Sequence, residues 1–428
     1  MTTRQMVKTA FERCLKAVNP RLAVREALPH LNLSDSSKII VISFGKASIQ
    51  MALGAHDHLN SSRIQKTLIL APESQRTSSL PFDIRFGAAD NLPDENSLEA
   101  TRHLIQEIRK ADSPSTVFLF LISGGGSALL TAPRPPVTLK EKLEVIKRMQ
   151  AKGATIQELN TVRQKLSDVK GGKLLRNIQK GQSISLIISD VIGNPINLIA
   201  SGPTVIPKHG ISAKEVLSNL GIQNLPESVD KVLNEREDPI SGNPINRIIS
   251  SNSDALSSIS ESLKDSGFHV ATVTSSLSGN AAEIGKQFAE IINSEDIRNH
   301  SILKGAELQY PAAFVFGGET TVILGKNPGK GGRNQEMVLS CLSSLIPSPP
   351  HRFVFLSAGT DGQDGPTDVA GAIISSEDPP ASSPSEFLKN SDSYSFWSQY
   401  NGGRSHLKTG PSGTNVMDIQ ILVLEKRE

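Results

Sequence analysis

A run of glycines directly after a buried strand is the feature that most constrains this chain. Residues 123–130 have the sequence SGGGSALL and follow the apolar run TVFLFLI of residues 116–122, which is typical of a strand buried on both faces. Adjacent glycines allow left-handed backbone and a close ligand approach, and N–H groups at a helix start attract anions. A tight turn without a ligand is the alternative. We predict a phosphate-binding loop formed by Ser123, Gly124, Gly125, Gly126 and Ser127.

The segments around this loop alternate between strand and helix patterns. Buried strands are predicted at residues 38–44 and 183–190, and a helix at residues 96–110. Capping boxes predict two further helix starts. These boxes are Thr138 with Glu141 and Thr155 with Glu158. Alternation of this kind predicts an α/β fold with a parallel sheet and helices on both faces, which binds ligands at the carboxyl ends of its strands.

Two of these strands end at a charged residue. Lys46 follows the strand at residues 38–44, and a lysine there neutralises a bound phosphate or carboxylate as a point charge. A solvated first-turn lysine is the alternative. Asp190 ends the strand at residues 183–190, where a carboxylate holds Mg²⁺ or takes a hydroxyl proton. For Asp190 the alternative is a helix N-cap.

A polar stretch at residues 226–244 has no clear periodicity and predicts a domain boundary. We therefore expect an N-terminal domain at residues 1–240 and a C-terminal α/β domain at residues 241–428. The strand pattern resumes there, at residues 247–249, 268–274, 312–316 and 353–358. Three loops rich in glycine and charge follow these strands. They contain Glu319; Lys330, Arg333 and Asn334; and Asp361, Asp364 and Asp368.

The aspartate-rich loop has a spacing that resembles a calcium loop. An EF-hand requires a glutamate at its twelfth position and a helix on each side, whereas Ala372 stands there and a strand precedes the loop. We exclude an EF-hand and leave magnesium or substrate-hydroxyl binding open.

Length, charge and cysteine content narrow the class of protein. The 428 residues exceed what one core usually supports. With 45 basic and 43 acidic residues, the chain offers no global field for nucleic acid or for a membrane surface, and no apolar run is long enough for a membrane span. Cys14 and Cys341 are too few for a disulfide framework, which predicts a reducing compartment. The basic N-terminus suits an amphipathic helix better than a transit peptide, so we expect the cytoplasm, with the mitochondrion as the alternative.

These features together predict an enzyme of phosphoryl transfer, which needs charge neutralisation, metal-binding carboxylates and a closing cleft. A nicotinamide dehydrogenase is the main alternative, although no G-x-G-x-x-G follows the first strand. A sensor that binds a sugar acid or a nucleotide without turnover is a third hypothesis.

Seven motifs, taken in order, resemble the glycerate 2-kinase family, whose C-terminal portion is called the MOFRL domain. They are LISGGGSALL, GATIQELNTVRQKLSDVKGGKL, SLIISDVIGNPINLIASGPT, GGETTV, GKGGRNQE, AGTDGQDGPTDVAGA and GPSGTNVMD. The similarity covers nearly the whole chain and is greatest to animal glycerate kinases. It implies ATP-dependent phosphorylation of D-glycerate at its 2-hydroxyl, a Rossmann-like N-terminal domain and a cleft against the second domain.

The resemblance also implies roles for individual residues. Lys46 and Arg333 match the proposed catalytic pair of the family, and we add Asp190 to the catalytic set. Asp190 and Glu319 are the predicted Mg²⁺ ligands, and Glu319, Lys330 and Asn334 are predicted to bind ATP. The partner is D-glycerate, with no nucleic acid and no membrane, and a homodimer is left open.

Two positions depart from the family pattern. Asn194 replaces a usual aspartate and removes a charge, so we do not assign it to a metal; Ser412 replaces a threonine and keeps the hydroxyl. Some members of the family carry the label hydroxypyruvate reductase, which keeps the NAD(P)H-dependent alternative open.

Overall fold

The computed structural model describes residues 1–76, 80–89, 92–207, 210–298, 300–303 and 305–427. The chain forms two compact units. The first comprises Pro20–Ile249, and the second combines Met1–Asn19 with Ser250–Glu428. Each unit contains a mixed α/β arrangement, described separately below.

The unit Pro20–Ile249 is built on a six-stranded sheet with the order β3-β2-β1-β4-β5-β6. Its strands are β1 (Lys38–Phe44), β2 (Ile64–Pro72), β3 (Asp83–Gly87), β4 (Thr116–Ile122), β5 (Gln182–Ile188) and β6 (Ile245–Ser250). Its helices are α2 (Pro20–Ala27), α3 (Ser48–His58), α4 (Glu95–Ala111), α5 (Gly126–Leu129), α6 (Leu139–Ala151), α7 (Ile156–Lys165), α8 (Ala213–Asn219) and α9 (Glu227–Asn234).

The predicted parallel sheet is confirmed. β1 pairs in parallel with β2 and β4, β2 with β3, and β4 with β5. All seven residues of β4 are buried, which explains the continuous apolar run. Both predicted capping boxes are present at the starts of α6 and α7. The apolar core of this unit lies between the strands and the flanking helices α4 and α5.

The second unit is also built on a six-stranded sheet, with the order β11-β10-β9-β12-β8-β7. Its strands are β7 (His269–Leu277), β8 (Ala312–Gly318), β9 (His351–Gly359), β10 (Gly371–Ser375), β11 (His406–Leu407) and β12 (Asp418–Lys426). Its helices are α1 (Thr3–Ala17), α10 (Asn252–Asp265), α11 (Ala281–Asn293), α12 (Arg333–Ser344), α13 (Pro384–Lys389) and α14 (Ser393–Gln399).

This second sheet is mixed. β7 and β8 pair in parallel, whereas β12 is antiparallel to both β8 and β9, and β9 and β10 are antiparallel. β12, the last strand of the chain, therefore lies inside the sheet. Its first seven residues are buried, as a central strand requires. Phe288, Phe316 and Phe355 pack together in the core beneath it.

The predicted N-terminal helix α1 is present, but it belongs to the unit that contains Ser250–Glu428. It packs against α10 and so belongs to the unit Ser250–Glu428, whereas sequence analysis assigned residues 1–240 to one domain. Arg4 explains the attachment, because its guanidinium donates to Asp378 at 2.6 Å and to the carbonyl of Ile373 at 3.0 Å. None of the helices in the described ranges is long and apolar enough to cross a membrane.

Candidate active site

The glycine loop and Lys46 lie side by side at one edge of the first sheet. β1 and β4 are neighbouring parallel strands, and Phe44 is opposite Ile122 at their carboxyl ends. The N–H of Lys46 donates to the carbonyl of Gly124 at 2.8 Å. Two features that the sequence placed at separate strand ends are thus hydrogen-bonded to each other.

Ser123 supports the backbone at this edge. Its side chain is buried, and its Oγ accepts a hydrogen bond from the Ala47 N–H at 3.0 Å, directly before α3. A Cβ at Gly45 would lie 2.2 Å from that oxygen, so a glycine is required for this close approach. The hydroxyl of Ser123 therefore fixes the turn that carries Lys46.

Gly125 gives the loop its shape. Its φ is 77°, a left-handed conformation that glycine adopts without strain. A Cβ here would meet Lys46 Cγ at 3.0 Å, so the lysine side chain lies directly over the loop. In the described chain the N–H groups of Gly124 and Gly125 make no hydrogen bond. Two unbonded N–H groups beside an exposed ammonium form a suitable site for an anion.

Asp190 lies against the same loop. β5 is the other neighbour of β4, and a Cβ on Gly124 would stand 1.9 Å from Asp190 Oδ2. Burial raises the pKa of Asp190, and the positive charge of Lys46 opposes that rise. The N-cap alternative is wrong, because the next helical segment in the described chain begins at Ile199. Lys46, the glycine loop and Asp190 therefore converge.

A strained turn supports this loop. Ala200 and Ser201 have φ angles of 50° and 62°, which non-glycine residues seldom adopt, and Gly202 follows at 59°. The Ser201 hydroxyl lies 2.8 Å from that of Ser127 and donates to Asn160 Oδ1 at 2.9 Å. Strain of this kind is typical of functional sites. Sequence analysis gave no role to Ser201 or Asn160, although both lie in motifs that carry the family resemblance.

The buried Lys170 closes the end of the same loop. Its Nζ donates to the carbonyls of Ser127 at 2.6 Å and Leu130 at 3.1 Å, at the C-terminus of α5. Burial lowers the pKa of Lys170 well below its usual value, and the charges of Lys142 and Arg163 add to the effect. Lys170 thus satisfies carbonyls that a short helix leaves unpaired.

A second set of predicted residues lies in the unit Ser250–Glu428. Arg333 is the first residue of α12, and its guanidinium donates from Nε to Asp418 Oδ2 at 2.5 Å and from Nη2 to Oδ1 at 2.9 Å. Its Nη1 lies 3.2 Å from Glu319 Oε1, just beyond β8. Sequence analysis missed Asp418, although it ends the GPSGTNVMD motif.

Glu319 and Arg333 line a cavity of about 490 Å³. Glu336, one turn along α12, also lines it and is 6% exposed. Sequence analysis also missed Glu336, which ends the GKGGRNQE motif. The cavity places a cation and two acids beside the glycine-rich loop.

Lys330 and Asn334, which were also predicted to bind ATP, contact other residues of the same unit. The Lys330 ammonium lies 4.3 Å from the centre of the Tyr394 ring, and its side chain is exposed. Asn334 has no exposed surface; its Nδ2 donates to Asp364 at 3.2 Å, and its Oδ1 accepts from Ser357 at 2.6 Å. In this conformation Asn334 supports the start of α12 and does not line the cavity.

Two of the three aspartates for which magnesium or substrate-hydroxyl binding was left open, Asp364 and Asp368, have separate environments. Asp364 is buried and accepts the N–H groups of Asn334 at 3.0 Å and Gln335 at 2.9 Å; burial raises its pKa to about 6. Asp368 is exposed and accepts hydrogen bonds from Tyr394 and Lys408. Asp364 thus caps α12 and Asp368 is paired at the surface, so the spacing of these two residues in sequence does not correspond to a shared site.

A magnesium ion requires few protein ligands, since it usually retains several waters and binds one or two carboxylates. Among the described residues, no three or more His, Cys, Asp or Glu side chains are grouped to hold a metal. Asp190 is a largely buried carboxylate beside Lys46, and Glu319 is an exposed carboxylate beside Arg333. Their oxygens are of the type that Mg²⁺ prefers.

Comparison with known proteins identifies the family of the chain. Two family models match: Domain of unknown function (DUF4147) over residues 6–234 and the MOFRL family over residues 312–418. Glycerate kinase of Rattus norvegicus is 35% identical, with 99% of this chain and 93% of the relative covered. D-glycerate 2-kinase of Thermotoga maritima is 34% identical, with 96% and 95% covered.

A solved structure extends the similarity to the fold. The crystal structure of glycerate kinase from Thermotoga maritima superimposes with a TM-score of 0.86 at 33% identity, covering 98% of this chain and 99% of that chain. Because the superposition covers 98% of this chain, the similarity extends to both units described above. The chain belongs to the glycerate kinase family, with an N-terminal DUF4147 domain and a C-terminal MOFRL domain.

Proposed function

We propose that this protein is a glycerate 2-kinase, which transfers the γ-phosphoryl group of ATP to the 2-hydroxyl of D-glycerate and releases 2-phosphoglycerate and ADP. The observation that carries the proposal is full-length similarity to relatives named glycerate kinase and D-glycerate 2-kinase. The convergence of Lys46, the glycine loop and Asp190 supports it independently, because this is the chemistry that an anionic phosphoryl group requires.

The catalytic roles follow from the charges. Lys46 acts as a point charge on the substrate carboxylate or on the transferred phosphoryl group, next to the unbonded N–H groups of Gly124 and Gly125. Arg333 is held by Asp418, and its Nη1 lies 3.2 Å from Glu319 Oε1; both Arg333 and Glu319 line the cavity. Cations placed where negative charge spreads stabilise the transition state more than the ground state.

ATP and Mg²⁺ are the cofactors of the proposed reaction. Mg²⁺, when bound, neutralises charge on the phosphates. We propose that Asp190 is a Mg²⁺ ligand, directly or through a water, and that the loop of residues 123–127 binds phosphate oxygens. Glu319 is proposed separately as a Mg²⁺ ligand of the unit Ser250–Glu428. The close contact between Gly124 and Asp190 supports the assignment of Asp190, because it keeps a carboxylate next to the unbonded N–H groups.

A paired assay tests the function. The purified enzyme is given D-glycerate, ATP and Mg²⁺, and ADP release is followed; in parallel it is given hydroxypyruvate and NADH or NADPH, and absorbance is followed. We expect ADP release and no nicotinamide oxidation. Identification of the product as 2-phosphoglycerate fixes the site of transfer. Nicotinamide oxidation without ADP release would favour the hydroxypyruvate reductase alternative.

We also propose that the enzyme works in the cytoplasm on a free small-molecule acid, with the mitochondrion as the alternative compartment. Cell fractionation with an antibody distinguishes the two. A homodimer is the oligomeric state to test against a monomer, by sedimentation of the purified enzyme.

A further inference from the structure

The cavity beside Arg333 contains two buried polar side chains without hydrogen-bond partners. The Thr320 hydroxyl is buried and has no partner in the described chain. The residue Glu336 is 6% exposed, and its carboxyl makes no hydrogen bond to any described residue. Buried polar groups are normally satisfied, so two such groups lining one cavity indicate a ligand.

The size and lining of the cavity indicate what that ligand is. At about 490 Å³ it lies in the range of sites for drug-sized molecules, and a three-carbon acid is far too small to fill it. Carbon-only side chains form much of the wall: Val322, Leu324, Pro328 and Pro366. An apolar wall with a few polar groups suits a planar heterocycle better than a phosphate or a carboxylate.

The glycine-rich loop forms another part of the wall, through Gly329, Gly331 and Gly332. A Cβ on Gly331 would lie 2.2 Å from Ser393 Oγ, and one on Gly332 would lie 2.3 Å from Asp364 Cγ. The backbone of Lys330 is also held, because its N–H donates to Asp392 Oδ1 at 2.9 Å. Gly331 and Gly332 therefore pack closely against these neighbours and line the cavity without side chains, which leaves room for a ring.

We propose that this cavity binds the adenine base of the nucleotide, with Glu336 pairing with the amino group and an adjacent ring nitrogen, and Thr320 supplying a further hydrogen bond. The assignment rests on the proposed function, which requires ATP. A protonated carboxyl places a donor and an acceptor side by side, as an amide does, and side-chain amides pair with the amino group and ring nitrogen of adenine in this way.

The environment of Glu336 favours that protonated form. Burial raises its pKa to about 7, and the negative charge of Asp364 adds to the effect.

The test is ADP binding to the full-length enzyme, measured by isothermal titration calorimetry without D-glycerate. Glu336→Ala should weaken ADP binding about tenfold, whereas Glu336→Gln, which keeps a donor and an acceptor, should stay within about threefold. Thr320→Val, of the same size, should weaken it less. Ser343→Ala, at an exposed position of α12 outside the cavity, is the matched control.

Two outcomes overturn the proposal. The first is ADP binding that is unchanged in both Glu336→Ala and Thr320→Val. The second is an increase in the KM for D-glycerate with none in the KM for ATP, which would assign the cavity to the acid. If Glu336→Ala does not fold, Thr320→Val carries the test, and unchanged ADP binding in that variant overturns the proposal. Wild-type protein that binds ADP through Glu336 but does not phosphorylate D-glycerate would refute the proposed function and leave the adenine cavity standing.

Discussion

Asp418 holds the Arg333 guanidinium through two hydrogen bonds, from Nε at 2.5 Å and from Nη2 at 2.9 Å. Asp418 is completely buried, whereas 29% of the Arg333 side chain is exposed. Burial opposes the charge of Arg333, but the hydrogen bonds and charge of Asp418 outweigh it and raise the pKa of Arg333. Nε and Nη2 of the Arg333 guanidinium are thus already bonded to Asp418. Arg333 is therefore a positioned donor that stays charged.

Substitutions at this pair should separate charge from position. Arg333→Ala should lower kcat about 10²–10³-fold, the loss that removal of one transition-state donor causes. Arg333→Lys should recover only part of that loss, because a lysine cannot form the bidentate pair with Asp418. Steady-state kinetics on the folded variants measure both effects. Wild-type turnover in Arg333→Ala would show that the residue only begins α12.

Asp418→Asn tests the positioning role. The amide has the size of the carboxylate, but it removes the charge that faces a largely buried guanidinium, so we expect lower kcat and a loss of stability of roughly 1–3 kcal/mol. The Tm from thermal unfolding and the kcat from steady-state kinetics should both decrease. Arg298→Ala, which removes an exposed arginine paired with Asp296, is a control that should alter neither measurement.

The strand ends were predictable and the pairing partners were not. Lys46 and Asp190 were placed at one edge because the carboxyl ends of neighbouring parallel strands meet there, and a local apolar pattern is enough to show such strands. Asp418 lies 85 residues from Arg333, and no local periodicity encodes a contact of that range. The central position of β12 was unpredictable for the same reason, since sheet order depends on which strands pair across the whole unit.

Asn334 shows that a residue in a binding motif can have a structural contact instead. Its motif pointed to a nucleotide contact, but burial is a property of the packed unit, and the side chain is used between Asp364 and Ser357. A glycine-rich, charged motif combines residues that contact a ligand with residues that hold the loop. Sequence spacing alone does not separate these two groups.

The glycine loop offers a matched pair of substitutions. Gly125 and Gly153 have φ angles of 77° and 74°, so alanine strains both to a similar degree, roughly 1–2 kcal/mol. A Cβ on Gly125 meets Lys46 Cγ at 3.0 Å, whereas a Cβ on Gly153 meets nothing within 4 Å. We expect similar decreases in Tm, but a loss of about tenfold in kcat/KM only for Gly125→Ala. Equal activity in the two variants would contradict the placement of Lys46 over the loop.

Asp190→Asn tests the metal role. The amide preserves the shape that packs against Gly124 but removes the negative charge beside Lys46. We expect a lower kcat and a higher Mg²⁺ concentration for half-maximal activity, because a neutral amide is a weaker ligand for a hard cation. Titration of activity against Mg²⁺ at saturating ATP and D-glycerate measures this. An unchanged Mg²⁺ dependence would remove Asp190 from the metal site.

Lys142 leads to a prediction about stability that does not depend on catalysis. It lies in the first turn of α6, is 3% exposed, and its Nζ has no hydrogen-bond partner in the described chain. Burial lowers its pKa to about 7, and the charges of Arg163 and Lys173 add to the effect, while Asp168 opposes it. Protonation of the Lys142 amine is therefore less favourable in the folded state than in the unfolded chain.

The sign of the pH dependence follows from that difference. Above the unfolded pKa of 10.5 Lys142 is neutral in both states and costs nothing. As the pH falls toward 7 the unfolded chain gains the proton first, so the folded state loses stability relative to it; below about pH 7 the loss is constant.

Lys142→Met should therefore stabilise the protein by roughly 1–4 kcal/mol at neutral pH. Its Tm advantage over wild type should shrink as the pH rises from 7 to 10. Lys147→Met, at an exposed position of the same helix, should show no such advantage. A Tm difference between Lys142→Met and wild type that does not vary with pH would show that the lysine keeps its proton in the folded state.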